Sequence, residues 1–221
     1  MIKADLHVHS CYSMDSNTSL EQVIEQCLKT GINCVAIADH GTIEGALKLK
    51  EIAPFKVIIA EEILTPAGEI MGLFLNKTIP SEYSVEETIA QIREQGGLIS
   101  IPHPFDTLRL SAFKYDWLKK IMDDIDIIEA LNARNLSPGG NAMAKNLAQR
   151  NGKIMAAGSD AHTQAEIGRA YIEMPDFDTK DQFLKSLAQG KIKGHNSSPF
   201  VHFASTHTKL MKRMNQFERG K

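Results

Sequence analysis

Short apolar segments recur along this chain, and most of them run into a histidine or a carboxylate. Ile2, Ala4, Leu6 and Val8 alternate with Lys3, Asp5, His7 and His9, which reads as a strand with side chains on two faces. On that reading Asp5, His7 and His9 share one face. Buried-looking strands over 33–39 and 56–60 lead to Asp39-His40 and Glu61-Glu62. The strand 98–101 delivers His103, 126–131 leads to Asn132, and 153–157 precedes Asp160 and His162. Short strands are also expected over 70–75 and 170–174.

Helices alternate with these strands. Ser19 with Gln22 and Ser84 with Glu87 have the spacing of capping boxes, in which two side chains satisfy the first free N–H groups of a helix. Gly31 and Gly96-Gly97 stop the helices they start. Further helices are expected over 42–51, 113–122, 141–150 and 179–189. Short apolar strands alternating with helices imply parallel βαβ units, an α/β fold whose strands close more readily into a barrel than into a sheet with two edges. One domain is expected over 1–200, followed by a basic tail over 201–221, in which Lys209, Lys212, Arg213, Arg219 and Lys221 face only Glu218. A solvated tail is the reading taken here.

Composition narrows the function classes. A net charge of −2 gives no reason to expect nucleic-acid binding, and no basic stripe interleaved with aromatics is present. No apolar run approaches the about 20 residues of a membrane span. Three cysteines and no leader-like stretch before the first strand suit a soluble, cytoplasmic protein with reduced thiols.

The candidate ligands all fall at or just after the C-terminal ends of strands: His7, His9, Asp15, Asp39, His40, Glu62, His103, Glu129 or Asn132, Asp160 and His162. In parallel α/β barrels active sites are built at that end, because the loops vary there over a rigid scaffold. Imidazole and carboxylate donors without cysteine favour catalytic Zn, Mn or Fe over a structural zinc site, and over Mg. His195, His202 and His207 lie outside the pattern and read as solvent-facing. Glu61 and Glu69 are alternatives to Glu62, since the register of that strand is not fixed by alternation alone.

Asp5-Leu-His-Val-His-Ser, Ala38-Asp-His-Gly-Thr42, Ala60-Glu-Glu-Ile, Ile101-Pro-His-Pro-Phe and Gly158-Ser-Asp-Ala-His resemble, in order, the motifs of the PHP (polymerase and histidinol phosphatase) family. The resemblance runs to about residue 195. It implies a distorted seven-stranded (β/α)7 TIM-like barrel holding two or three divalent ions. By motif, His7, His9, Glu62 and Asp160 would hold one ion. Glu62 would bridge to a second, held also by His103, and Asp15, His40 and His162 would hold a third. Asp39 would orient an imidazole from outside the ligand set. Where relatives carry a further histidine, this chain has Ile128-Glu-Ala-Leu-Asn-Ala-Arg134. Alternation puts Glu129 and Asn132 on opposite faces, so only one of them should reach the site.

Two divalent ions bridged by a carboxylate can share a hydroxide of lowered pKa and clamp the oxygens of a phosphate. The expected activity is hydrolysis of a small phosphomonoester, a nucleotide or metabolite phosphate. Glu62 is the bridge, and Asp160 or a histidine such as His103 assists proton transfer. Arg134, Arg169 and the turn containing Gly139 and Gly140 are candidate phosphate donors. Two other classes are weighed against this one. A metal-dependent C–N hydrolase of the amidohydrolase kind typically bridges its metals with a carboxylated lysine on the fourth strand, and Leu98–Ile101 contains none. A non-catalytic, metal-stabilised interaction module would be expected to have lost ligands.

Overall fold

The computed structural model describes residues 1–197, 205–212 and 214. Nine strands form one sheet: β1 (Ile2–Val8), β2 (Cys34–Ile37), β3 (Lys56–Thr65), β4 (Gly68–Leu73), β5 (Leu98–Ile101), β6 (Ile127–Asn132), β7 (Ile154–Gly158), β8 (Ala170–Met174) and β9 (Lys191–Gly194). Their order is β7-β6-β5-β4-β3-β2-β1-β8-β9. The sheet curls until the chain just beyond β7 meets β1: Asp160 N–H donates to His7 O at 2.9 Å or less, Val8 bridges Ala161, and His9 N–H donates to Ala161 O. The result is a nearly closed, barrel-like sheet.

This differs from seven parallel strands. β1, β2 and β3 are parallel, as are β5, β6 and β7, but β4 runs antiparallel to both neighbours and β8 and β9 are antiparallel additions beside β1. β3 does not stop at Ala60; it continues to Thr65 and returns through Pro66-Ala67 as β4. Glu62 is therefore in mid-strand, although the bridge between His40 and Glu62 sets it level with the end of β2. β9 escaped the sequence reading because Lys191-Ile-Lys-Gly has one apolar residue and mostly exposed positions, which suits the edge of a sheet.

Helices α1 (Leu20–Thr30), α2 (Glu44–Ile52), α3 (Val85–Glu94), α4 (Tyr115–Lys120), α5 (Gly140–Arg150) and α6 (Lys180–Ala188) connect the strands. The two expected capping boxes form as read, at Ser19/Gln22 and Ser84/Glu87. α4 is shorter than the expected 113–122 and gives way to a 3₁₀ turn, Met122–Asp124. Among the described helices none is long and apolar enough to cross a membrane.

One core cluster fills the barrel. Ile2, Ala4 and Leu6 meet Ala36, Ile58, Ala60, Met71, Leu73, Leu98, Ile127 and Ala156, and Phe177 and Phe183 close the lower end. Two further clusters lie outside, between the sheet and its helices. Following the inward positions upward, the apolar layers give way to polar ones: Ile58, Ala60, then Glu62 on β3, and Leu73, Met71, then Glu69 on β4. Small residues below and charged ones above mean that the barrel top is polar by construction.

Two bulges decide which side chains reach that layer. β1 shifts register between Asp5 and Val8, β6 between Glu129 and Leu131. An extra residue resets the alternation of faces. On β1, Leu6 belongs to the barrel interior and Val8 to the outer cluster against α1. Asp5 consequently does not share a face with His7 and His9. Its carboxylate accepts N–H groups from Ser159 and Gly168, each at 2.8 Å, and burial pushes its pKa up to about 6. Asp5 ties β1 to the β7–β8 connection.

Candidate metal centre

His7, His9, Glu62, His103 and Asp160 converge at the top of the barrel, all essentially without solvent contact. His7 Nε2 lies 3.1 Å from His9 Nε2 and 3.3 Å from Glu62 Oε2. His9 Nε2 is also 3.3 Å from Glu62 Oε2 and 3.5 Å from Asp160 Oδ1. The other Glu62 oxygen, Oε1, is 2.8 Å from His103 Nε2. Beside this group, Asp15 Oδ2 sits 3.4 Å from both His40 Nε2 and His162 Nε2. Donor atoms in each of four overlapping sets lie within 4.8 Å of one another: His9, Asp15, His40 and His162; His7, Glu62 and His103; His7, His9 and Asp160; His40, Glu62 and Glu69. Glu62 stands where two of these sets meet, and Glu69, which the sequence left as an alternative to it, joins it rather than replacing it. Glu61 points away and accepts the N–H of Ile79 at 2.8 Å.

The backbone is strained at two of these positions. Asp160 has φ 54° and His103 φ 28°, a region that residues with a Cβ rarely occupy and that clusters at functional sites. Gly158 permits the approach of β7 to β1: a Cβ there would overlap the His7 Cβ and come 2.8 Å from Glu129 Oε1.

Because of the bulge on β6, Glu129 and Asn132 both face the site, contrary to simple alternation. Glu129 Oε1 accepts the His7 Nδ1–H at 3.1 Å, which leaves the lone pair of His7 on Nε2, toward the other donors. Its Oε2 accepts His103 N–H at 2.8 Å and the Asn132 amide at 2.9 Å. All the hydrogen bonds of Glu129 are thus directed at protein groups. Asp39 takes neither expected role. Its two oxygens accept the Ser10 N–H and hydroxyl, each at 2.6 Å, and so hold the loop after β1 rather than the His40 ring.

The expected phosphate donors fare unevenly. Arg134 lines the cleft but is buried and bound to Glu166 at 3.2 Å and to the Ser205 hydroxyl at 2.7 Å. Arg169 turns back to the Ala165 carbonyl, and its side chain does not line the cleft. Gly139 and Gly140 serve the start of α5, where Gly140 N–H is already donated to Ser137 O, and they too lie away from the cleft. Arg109, which the sequence did not single out, also lines the cleft. Its Nη2 donates to Asp160 Oδ2 and its Nη1 to His103 Nε2 at 3.1 Å. Arg109 sits in the irregular stretch between β5 and α4, where no periodicity marks a position.

The buried charges of the site shift one another's pKa values. Burial raises carboxylate pKa values, yet Arg109 and His7 hold Asp160 well below the ordinary range, and His7 does the same for Glu62. Burial alone would lower His7, but Glu62, Asp160 and Glu129 carry it well above its usual value. His40 is likewise raised to about 10, chiefly by Asp15 and Glu62 working against burial. His162 goes the other way, to about 4, through burial and the neighbouring His9.

The donor set fits divalent metal. His103 Nε2 accepts from Arg109 while facing Glu62 Oε1, and His7 Nε2 faces Glu62 Oε2 with its proton committed to Nδ1. Acceptors set against acceptors are stable only with a proton or a metal ion between them. Asp160 Oδ1, His9 Nδ1, His103 Nδ1 and Glu69 Oε2 are buried with no hydrogen-bond partner among the described residues. Over the site opens a cleft of about 490 Å³ lined by Asp15, His40, Glu69, Arg109, Lys209 and others. Roomier grooves of about 690 and 720 Å³ lie on the outer helices and hold no such donors.

Residues 5–96 match the PHP domain and residues 138–192 the PHP-associated family. The chain belongs to the PHP family. An uncharacterized protein of Methanocaldococcus jannaschii is 37% identical over 196 residues, covering 84% of this chain and 79% of that one. Among solved structures, a two-domain protein from Bacteroides vulgatus, described as containing a predicted PHP-like metal-dependent phosphoesterase, superposes with a TM-score of 0.64 at 16% identity. The match covers 88% of this chain and 65% of that one, so this PHP chain spans just under two thirds of the two-domain protein. An amidohydrolase from Chromobacterium violaceum, with bound sulfate and no metal, gives a TM-score of 0.65 at 15% identity, over 85% of this chain and 97% of that one. At such identities the likeness is one of fold.

His195 and His207, expected to face solvent, are exposed. His202 lies outside the described residues, as do Arg213, Glu218, Arg219 and Lys221 of the tail. The described part of the tail is ordered against the site end of the barrel. Residues 205–212 are helical, and Ser205, Thr206 and Lys209 line the cleft.

Proposed function

We propose that this protein is a metal-dependent phosphoesterase that hydrolyses small phosphomonoesters, a nucleotide or metabolite phosphate. The observation that carries the reading is the Glu62 carboxylate, with one oxygen toward His7 and His9 and the other toward His103, beside the unpartnered Oδ1 of Asp160. On this reading His7, His9, Glu62 and Asp160 hold one ion, Glu62 and His103 a second, and Asp15, His40 and His162 a third. Zn, Mn or Fe suits the mixed imidazole and carboxylate set. When bound, such ions supply a water acidic enough to ionise near neutral pH and offset the negative charge of a phosphate.

The chain's own groups do the rest. Arg109 stands at the cleft, 18% exposed, and its guanidinium can offer N–H groups to phosphate oxygens while staying bound to Asp160. Glu129 fixes the His7 tautomer, and Asn132, donating to Asp160 Oδ2 at 3.2 Å, helps hold that carboxylate still. Asp160 or His103, buried beneath the cleft, would assist the proton transfers on this reading. Among the described residues no Phe, Tyr or Trp lines the cleft, and charged and hydrogen-bonding groups supply most of its polar lining.

The C–N hydrolase remains the rival because the fold is shared with a protein described as an amidohydrolase. Phosphomonoesters, phosphodiesters and amides should be offered to protein reconstituted with Mn, Zn or Fe, beside Asp160→Ala and His103→Ala. Metal-dependent phosphate release that both variants lose is the expected result. Amide hydrolysis without phosphate release would move the protein to the rival class.

A further inference from the structure

The loop 10–18 carries Asp15 between β1 and α1. It is tied inward by Ser16, whose single hydroxyl proton is shared between His9 O at 3.1 Å and His162 O at 3.0 Å, and by Ser10 on Asp39. Ser13 Oγ donates to Asp15 Oδ1 at 2.8 Å, leaving Oδ2 to face His40 and His162. On its outer side the loop turns three backbone carbonyls, those of Cys11, Ser13 and Ser16, toward one point. Carbonyl dipoles aimed at one another repel, and buried ones need donors. The donor here is Lys212, on the C-terminal helical segment. Its ammonium donates to Cys11 O at 2.9 Å, Ser13 O at 2.8 Å and Ser16 O at 2.6 Å. An ammonium group has three N–H donors and no acceptor, so its capacity matches the three carbonyls.

The same segment is docked at two other points. Asn17 donates to the Thr208 hydroxyl at 3.2 Å, and Arg134 to Ser205 at 2.7 Å. Lys209, one turn before Lys212, faces the cleft instead and makes no contact with the loop carbonyls among the described residues. The two lysines therefore separate cleanly: equal charge, one helix, different destinations.

We propose that Lys212 is a positioning residue for the metal centre, holding the loop 10–18 in the shape that aims Asp15 at His40 and His162. It touches neither ion nor substrate and acts through the backbone of the loop. The proposal rests on the reading that Asp15, His40 and His162 hold an ion. Without Lys212 the three carbonyls must find water or turn outward, and either change moves Asp15 relative to ligands fixed just beyond β2 and on the β7–β8 connection. Partners that orient ligands from outside typically govern about 10–100-fold in metal affinity.

The test uses the full chain, dialysed against Mn or Zn, with bound metal counted by elemental analysis and affinities from calorimetry. Lys212→Met keeps the aliphatic stem and removes the ammonium; Lys29→Met removes an equal charge from the exposed end of α1, away from the cleft; Asp15→Asn marks the loss of this one site. Wild type binding one ion more than Asp15→Asn secures the underlying metal reading, and equal counts would remove both that reading and this proposal. Given a difference, Lys212→Met should weaken the ion that Asp15→Asn loses about tenfold or more and leave the others at wild-type affinity, while Lys29→Met leaves all of them unchanged. Full wild-type affinity in Lys212→Met would overturn the proposal. So would equal weakening of every ion, which would make Lys212 a general support of the fold, and so would an equal effect of Lys29→Met, which would reduce it to net charge.

Discussion

Replacing Glu129 by glutamine changes the shape of the site least and its hydrogen bonding most. Glu129 accepts three bonds: from His7 Nδ1 at 3.1 Å, His103 N at 2.8 Å and the Asn132 amide at 2.9 Å. A glutamine offers one oxygen and one NH₂ group. Whichever way it turns, the NH₂ faces a donor, either the His7 Nδ1–H or the pair formed by His103 N–H and Asn132. A buried donor left without its acceptor costs about 1–3 kcal/mol. For a chain of this size that amounts to a fall in Tm of a few degrees in the metal-free protein. His7 can also relieve the clash by moving its proton to Nε2, which removes the lone pair it presents to Glu62 and His9. The expected consequence is a loss of about 10–100-fold in metal affinity, or about 1.4–2.7 kcal/mol. Calorimetric titration of chelator-stripped protein with Mn or Zn measures this, with thermal unfolding of the stripped protein run alongside. Wild-type metal affinity in Glu129→Gln would refute the argument that Glu129 fixes the His7 tautomer, whatever happens to Tm.

Four further outcomes follow from the same geometry. Gly158→Ala should lower stability by more than about 3 kcal/mol or abolish soluble expression, because backbone on both sides must shift to admit the Cβ; an unchanged melting curve would show that the β1–β7 approach is looser than described. Removing metal should lower Tm, and restoring ions to about 100 times their Kd should return about 2.7 kcal/mol for each site filled; equal melting of stripped and loaded protein would mean the ions do not bind the native state selectively. In the stripped protein, His40 is raised from an ordinary value near 6.5 to about 10, so the stability it lends is complete below pH 6.5 and is lost as pH rises through 10. Thermal melts of stripped protein across pH 6.5–10 should therefore decline less steeply for His40→Gln than for wild type, and parallel slopes would contradict this. Arg109→Met should lower kcat/KM by about 100-fold with the metal count intact, and an unchanged kcat/KM would remove Arg109 from phosphate binding.

Much of the site could be read from the chain because its donors end strands, and a strand end places a side chain whatever the neighbours are. His7, His9, His40, Asp160 and His162 are of this kind. The errors have local causes. Bulges on β1 and β6 break a period of two, and nothing in Asp5-Leu-His or Glu129-Ala-Leu-Asn announces an extra residue. Asp5 was therefore placed on the histidine face, and only one of Glu129 and Asn132 was expected inside. Gly139 and Gly140 have the composition of an anion-binding turn, but Ser137 already takes the Gly140 N–H. Arg109 lies in a loop with no repeating pattern, so only the fold brings it beside Asp160. The C-terminal segment misled through its charge: Lys212 looks like a solvated lysine until three carbonyls of a distant loop are set around it. The strand count was missed for a related reason, since β9 is an edge strand whose lysines conceal it.

The central claim is that the ions held by this cleft drive phosphoester hydrolysis. It is met most directly by titrating stripped protein with Mn or Zn in the presence of a phosphomonoester, recording bound metal and released phosphate together. The account predicts no turnover before the site fills, a rise that tracks the bound equivalents, and no rise for Asp160→Ala. Ions that bind fully without phosphate release, or release that is indifferent to metal, would contradict it.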